Sequence, residues 1–247
     1  MLNLFAKPKS GSADAEFKRL RADVHSHLIP GIDDGSPDLE MSLRLIKGMA
    51  DLGYSKLITT PHIMGDIYKN DRQSILEQME LLRHALKQAE IDVELVAAAE
   101  YFLDDHMSAL IRNNEPLLTI SGNMVLVEFS MANPSLSLKD ILFELQMQGY
   151  QPVIAHPERY IYLENAKDFY TELKDIGCYF QLNLLSLINY YGKSVQDLAH
   201  FLIKKEYYDL VGSDLHNLRH LEALQNPSLG PHLHKLLDSG KIKNSQL

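Results

Sequence analysis

The chain contains no tryptophan and one cysteine, Cys178. A lone thiol excludes an internal disulfide framework and suits a reducing compartment, which points to the cytoplasm. Positive charge is also short, with 24 Lys and Arg against 33 Asp and Glu for a net charge of −9. That balance excludes a general nucleic-acid binder, which carries a basic stripe. No apolar run approaches the ~18 residues of a membrane span. The opening MLNLFAKPKSGSADAEF lacks the continuous apolar core of a signal peptide, so no membrane insertion is expected. There is no G-x-S-x-G elbow and no P-loop. Six positions after Cys178, where a cysteine-dependent phosphatase places arginine, stands Leu184. Cys178 opens the apolar run Tyr179-Phe180-Gln181-Leu182 and reads as a buried structural residue.

The 247 residues, 45% of them hydrophobic and 23% charged, suit a globular α/β protein. A barrel of strands and helices commonly takes about 250 residues. Short apolar runs alternate with longer amphipathic ones between Ala22 and Ser213, the pattern of βαβ units. Strands are expected at Ala22–His25, Lys56–Thr60, Val93–Ala99, Met124–Phe129, Pro152–Ala155, Tyr179–Asn183 and Asp209–Gly212. Helices are expected near Asp38–Leu52, Asp71–Ala89, Asp105–Arg112, Leu138–Gln148, Ala166–Ile176 and Val195–Lys204, with Gly53, Gly149 and Gly177 as stops. Seven strands with helical crossovers suggest a closed or nearly closed barrel, with a doubly wound open sheet as the alternative. Residues 1–18 read as a flexible leader, 19–224 as one domain, and 225–247 as a tail packed on it or extending from it.

The polar residues fall in a pattern. The first strand leads to His25 and His27, which lie two apart and so point to one face. The second leads to His62, the third to Glu100, the fourth to Glu128, the fifth to His156, and the seventh to Asp214 and His216. Six of seven strands thus finish in a metal-capable side chain on the edge that carries barrel active sites. Carboxylates closing apolar runs beside a barrel mouth are costly to bury without a cation. His232 and His234 repeat the two-residue spacing, but in a Pro/Gly-flanked tail where solvent exposure is expected. His84, His106, His200 and His220 lie on or beside helices and read as surface or packing residues. Arg159, three residues after His156, either pairs with Glu158 at the surface or clamps phosphate oxygens with its planar fork. Arg219, three beyond His216, is a second candidate, and Asn183 could line the site. Asp33 reads as a turn or supporting residue.

Taken in order, DVHSHLIPGIDDG, TTPH, AAAEYF, VLVEFS, PVIAHPERY and VGSDLHN resemble the polymerase-and-histidinol-phosphatase (PHP) superfamily. More narrowly they resemble its bacterial manganese-dependent tyrosine phosphatases of capsule and exopolysaccharide synthesis. The resemblance covers residues 23–217. It implies a distorted (β/α)7 TIM-like barrel with three metal ions at the C-terminal ends of the strands. By the resemblance one ion takes His25, His27, Glu100 and Asp214. A second shares Glu100 and adds Glu128 and His156, and a third takes Asp34, His62 and His216. Arg159 matches the family's phosphate-contacting arginine, whereas Arg219 stands nearer the SDxHN motif than its second arginine does.

Charge bookkeeping agrees with three ions. Four ligand carboxylates against three divalent cations leave two positive charges for a phosphate dianion, and two cations would leave none. Imidazole and carboxylate donors without thiolate suit Mn, Fe or Zn, and manganese is implied by the resemblance. The chemistry implied is attack of a metal-activated hydroxide on the phosphorus of phosphotyrosine. The expected partner is a protein substrate, the tail of a tyrosine autokinase. A small-molecule phosphatase of the histidinol-phosphatase type and a non-catalytic metal-holding module remain open, and the negative charge opposes a nuclease.

Overall fold

The computed structural model describes residues 13–133 and 135–247. Nine short strands occupy seven positions around a ring. They are β1 (Ala22–Asp23), β2 (Lys56–Thr59), β3 (His62–Ile63), β4 (Glu94–Ala97), β5 (Glu100–Phe102), β6 (Met124–Glu128), β7 (Gln151–Ala155), β8 (Tyr179–Asn183) and β9 (Leu210–Gly212). All ladders are parallel, in the orders β1-β2-β4 and β3-β5-β6-β7-β8-β9. Asp214 N donates to His25 O (2.7 Å) and His27 N to Leu215 O (2.9 Å), joining the ends of β9 and β1. The ring closes there, so the architecture is a distorted barrel and not an open sheet.

Two of the expected strands, found as Lys56–Thr59 and Glu94–Ala97, are each followed after a break by a second short strand that was not expected. Pro61 separates β2 from β3, because it has no N–H to give a ladder. Ala98 and Ala99 separate β4 from β5. His62 and Glu100 therefore begin the second half of a broken strand and do not follow the end of a continuous one. The first strand stops at Asp23, and the chain through His25 and His27 is held by isolated bonds such as Thr60 N to Ser26 O (2.6 Å).

Two-residue periodicity places the site. An inner cluster joins Val24, Ile58, Ala98, Ile120, Leu126, Val153, Ala155 and Leu210, with Val96, Met124 and Tyr179 against it. Stepping by two along the strands continues these rows upward: Ile58 to Thr60 and His62, Ala98 to Glu100, Leu126 to Glu128, Leu210 to Gly212 and Asp214. The barrel is apolar below and polar at its C-terminal mouth. Ile154, Phe180, Leu182 and Val211, of the opposite parity, face the surrounding helices in the larger core.

The helices are α1 (Ala13–Leu20), α2 (Leu39–Leu52), α3 (Arg72–Gln88), α4 (Asp105–Arg112), α5 (Leu138–Met147), α6 (Asp168–Asp175), α7 (Lys193–Lys204), α8 (Leu218–Leu224) and α9 (Leu229–Asp238). In α2, Leu45, Ile46, Met49 and Leu52 are buried at helical spacing. Asp38 caps its start by accepting Met41 N (2.8 Å), and Gly53 at φ 114° ends it.

The expected leader divides. Residues 1–12 lie outside those described, whereas residues 13–18 belong to α1, with Phe17 and Leu20 fully buried. Arg19 joins α1 to α9 through Asp238 (2.6 Å), and His234 reaches Glu16 (3.0 Å). Beyond residue 225 the chain packs on the barrel. Asn244 stitches its base by donating to Ala22 O (2.9 Å) and Val211 O (2.7 Å) and accepting Val211 N (2.9 Å). No helix among the described residues is long and apolar enough to cross a membrane.

Candidate metal centre

All nine residues expected as ligands meet at the mouth. Their donor atoms form four groups, within each of which the atoms lie within 4.8 Å of one another: His27, Asp34, His62, His216; His25, His27, Glu100; His25, His156, Asp214; and His62, Glu100, Glu128. The grouping differs from the expected one: His156 groups with His25 and Asp214 and not with Glu128, while His27 also joins the Asp34 set and His62 the Glu100–Glu128 set. Glu100 is central. Its Oε2 lies 3.0 Å from His25 Nε2, 3.3 Å from His62 Nδ1 and 3.5 Å from His27 Nε2, while its Oε1 lies 3.2 Å from His156 Nε2.

The groups aim at shared space more than at each other. Five buried side-chain N or O atoms lack a hydrogen-bond partner among the described residues, and three belong here: His62 Nδ1, His156 Nδ1 and Glu100 Oε1. His62 Nδ1 stands only 2.8 Å from Glu128 Oε1 without hydrogen-bond geometry. Buried polar atoms ordinarily find partners, so orphans converging in one cluster fit a cation. The residues present therefore fit a multi-ion centre of imidazole and carboxylate donors.

Supporting residues fix the rings. His25 Nδ1–H donates to Gln181 Oε1 (2.8 Å), which turns Nε2 into the cluster. Gln181 in turn donates from Nε2 to Leu182 O (2.7 Å). His27 Nδ1–H donates to Asp33 Oδ2 (2.8 Å), with the same result. Asp33 also accepts Gly35 N (3.0 Å) and His62 N (3.2 Å), so it joins the turn to two expected ligands. His216 Nδ1–H donates to Asp214 O (2.9 Å), leaving Nε2 3.4 Å from Asp34 Oδ1. Two glycines make room: a Cβ on Gly35 would lie 2.3 Å from His27 O, and one on Gly212 would lie 2.6 Å from His25 Cβ. His156 (φ 32°) and Asp214 (φ 52°) adopt left-handed backbone, which costs of order 1–3 kcal/mol and turns the chain sharply at the strand ends.

The electrostatics ask for positive charge. Burial works to raise the Asp214 carboxyl, but His25, His216 and Arg159 hold it well below the carboxylate range. Glu100 is buried too and is likewise held far down, by His25 and His62. His25 shows the reciprocal effect: burial lowers it, yet Glu100 and Asp214 push it up to about 9. Asp34, at the cluster's open side, is brought down to about 2 by its bond with His216.

Over these groups lies a cleft of about 480 Å³. Arg159 enters it, donating to Asp214 Oδ2 (2.7 Å) with its guanidinium 4.6 Å over the Tyr191 ring. The alternative pairing with Glu158 does not form. Glu158 is fully buried, accepting Asn183 N (2.9 Å), Ser186 Oγ (2.7 Å) and Tyr208 Oη (2.9 Å). Asn183 acquires a role, donating from Nδ2 to Asp214 Oδ2 (2.9 Å). Arg219 is not brought to the cleft. Asn217 caps α8 and Leu221 and Leu224 face inward, so Arg219, two positions before Leu221, lies exposed on the opposite side. His220, expected as surface or packing, instead lines the cleft beside Tyr191. His232 and His234 do not converge: His232 stacks on His200, and His234 bonds Glu16. Cys178 is buried outside the cleft, where burial pushes its thiol up to about 12.

Comparison with known proteins agrees with this arrangement. Tyrosine-protein phosphatase CpsB of Streptococcus pneumoniae is 31% identical over 202 residues, spanning 79% of this chain and 83% of its own length. Tyrosine-protein phosphatase YwqE of Bacillus subtilis is 26% identical over 197 residues, 80% of this chain and 78% of its own. Among solved structures, one from a study of YwqE and S. pneumoniae CpsB, described as metal-dependent tyrosine phosphatases, shares the fold. Its TM-score is 0.78 at 24% identity, covering 91% of this chain and 94% of that one. Residues 21–230 match the family described as capsular polysaccharide synthesis, CpsB/CapC. That span holds every strand and all nine clustered residues, and the chain belongs to the CpsB/CapC family.

Proposed function

We propose that this chain is a metal-dependent phosphatase that hydrolyses phosphotyrosine on protein, its substrate being the tail of a tyrosine autokinase in capsule or exopolysaccharide synthesis. The observation that carries the reading is the convergence of buried, partnerless donor atoms at the barrel mouth, with Arg159 beside them. We assign the ligands as His25, His27, Asp34, His62, Glu100, Glu128, His156, Asp214 and His216, the ions as three and the metal as manganese. The donor set admits iron or zinc as well.

Divalent cations in such a site act as Lewis acids on phosphoryl oxygens and lower the pKa of water toward ~7. The chain's own residues supply the rest. Gln181 and Asp33 orient His25 and His27 with Nε2 inward. Asn183 and Arg159 hold Asp214 Oδ2 and leave Oδ1 toward His25 and His27. The remaining N–H groups of Arg159 offer a fork to phosphoryl oxygens, and stacking on Tyr191 fixes its plane. A tyrosinate leaves with a conjugate-acid pKa near ~10, so little protonation is required of the protein. A protein substrate is favoured by the open rim, where Ile67 is 66% and Met131 41% exposed and can meet residues flanking the phosphotyrosine.

Chelator-stripped protein should release no phosphate from a phosphotyrosine peptide and should recover when manganese is added back. Full activity after complete metal removal would sink the proposal. Faster turnover of histidinol phosphate than of the peptide would overturn the protein-substrate assignment.

A further inference from the structure

A second cavity, of about 600 Å³, opens between α7 and α9 and shares no residue with the metal cleft. On α7, His200, Ile203 and Lys204 line it at helical spacing. On α9 the lining residues are His232, Lys235 and Leu236, again on one face, with Ser239 at its C-cap. The two helices thus offer the same chemistry to one space, an imidazole and an ammonium from each. The rings of His200 and His232 stack with centroids 5.7 Å apart. Neither Lys204 nor Lys235 has an ion-pair partner among the described residues. Lys241 also lines the cavity, and its bridge to Glu206 (3.2 Å) occupies the single carboxylate there. The floor is apolar, built from Tyr208, Leu236 and Ile242, all buried.

In a chain of net charge −9, this cavity inverts the sign of the whole molecule. With Glu206 taken by Lys241, Lys204 and Lys235 face the cavity without an ion-pair partner among the described residues, and a multiply charged anion between them would be attracted to both. We propose that the α7–α9 cavity is a binding site for an amphiphilic oxyanion, a phosphate monoester or phosphonate whose charged head meets Lys204, Lys235 and the two imidazoles while its apolar body lies on Tyr208, Leu236 and Ile242. The volume suits a ligand of that size. His232 carries the imprint of the field: burial, then His200 and Lys235, lower its pKa.

The test is calorimetric titration of the manganese-loaded protein with n-octylphosphonate, which resists hydrolysis. Wild type should bind at two sites, the metal cleft and this cavity. Lys204→Glu/Lys235→Glu should keep the first and weaken the second at least about tenfold. Methylphosphonate should bind the second site at least about tenfold more weakly than octylphosphonate, because it leaves the apolar floor bare. Turnover of a phosphotyrosine peptide by the double variant should equal wild type, which verifies its fold. Identical stoichiometry and affinity in both proteins would overturn the proposal. Co-sedimentation with vesicles containing phosphatidic acid, a lipid phosphate monoester, identifies the source of the anion. Binding to both vesicles and monomer assigns a lipid headgroup, and binding to monomer alone assigns a soluble ester. Binding to vesicles without monomer would overturn the cavity as the site.

Discussion

Asp33→Asn changes one atom type in a carboxylate that touches no phosphate. Asp33 is fully buried at its side chain and takes three N–H donors: the His27 ring, Gly35 N and His62 N. Burial pushes its carboxyl up, but His27 beside it brings it below the usual range, so it stands ionised against that ring. An asparagine can present its oxygen to His27 and His62, and its NH2 then opposes Gly35 N–H. That leaves Gly35 N–H and the new NH2 facing each other without an acceptor, which costs at least about 1–3 kcal/mol. For a chain of this size the melting temperature should fall by about 2–12 °C. Loss of the charge also makes the His27 imidazole a poorer donor. Removing a partner of this kind weakens metal binding about 10–100-fold, or about 1.4–2.7 kcal/mol. Competition against a chromophoric chelator measures the affinity, and circular dichroism verifies the fold. Wild-type affinity in a folded Asp33→Asn protein would refute the claim that Asp33 orients His27. A loss far beyond that range would make Asp33 a direct ligand.

Arg159→Ala removes the fork from the cleft, and kcat/KM for a phosphotyrosine peptide should fall about 10–100-fold, the worth of charge-assisted hydrogen bonds; unchanged kinetics would take Arg159 out of the site. Cys178→Ser should keep wild-type turnover, since the thiol is buried away from the cleft and held protonated; inactivity with an intact fold would overturn the cysteine-independent chemistry. Gly35→Ala drives a Cβ to 2.4 Å from His27 Cβ, so the variant should lose about 1–3 kcal/mol of stability together with bound metal, read by thermal melting and elemental analysis.

The barrel and its metal-capable rim were legible because both rest on local periodicity. Apolar rows stepping by two through Ile58, Leu126 and Leu210 run directly into His62, Glu128 and Asp214, so strand and site announce one another. What escaped depends on contacts distant in sequence. Helix α1 has only eight residues, too few to stand alone, and it is tied to α9, more than 200 residues away. Gln181 sat in an apolar run, where an inward-facing amide was the one available signal, and its partner His25 lies 156 residues earlier. Pro61 marked the break in the second strand, but no residue marked the one at Ala98 and Ala99. Arg219 fell outside the cleft because spacing from His216 does not reveal that α8 begins between them.

The two ends of the barrel are fastened by different means. At the base, Asn244 and an apolar plug bind the strands through ordinary hydrogen bonds and dispersion. At the mouth a few backbone bonds, Asp214 N to His25 O and His27 N to Leu215 O among them, are joined by ligand-type atoms that gather residues as far apart as His27 and His216. A cation bound there, as proposed, would act as a clasp, closing long loops of chain whose ends otherwise have to be held together against their own entropy. Occupancy of the site would then contribute to the fold by mass action, and the clasp and the proposed catalyst would be the same ions. Removal of the proposed ions should loosen the rim before the base, so hydrogen exchange of chelated protein should rise first around His27 and His216.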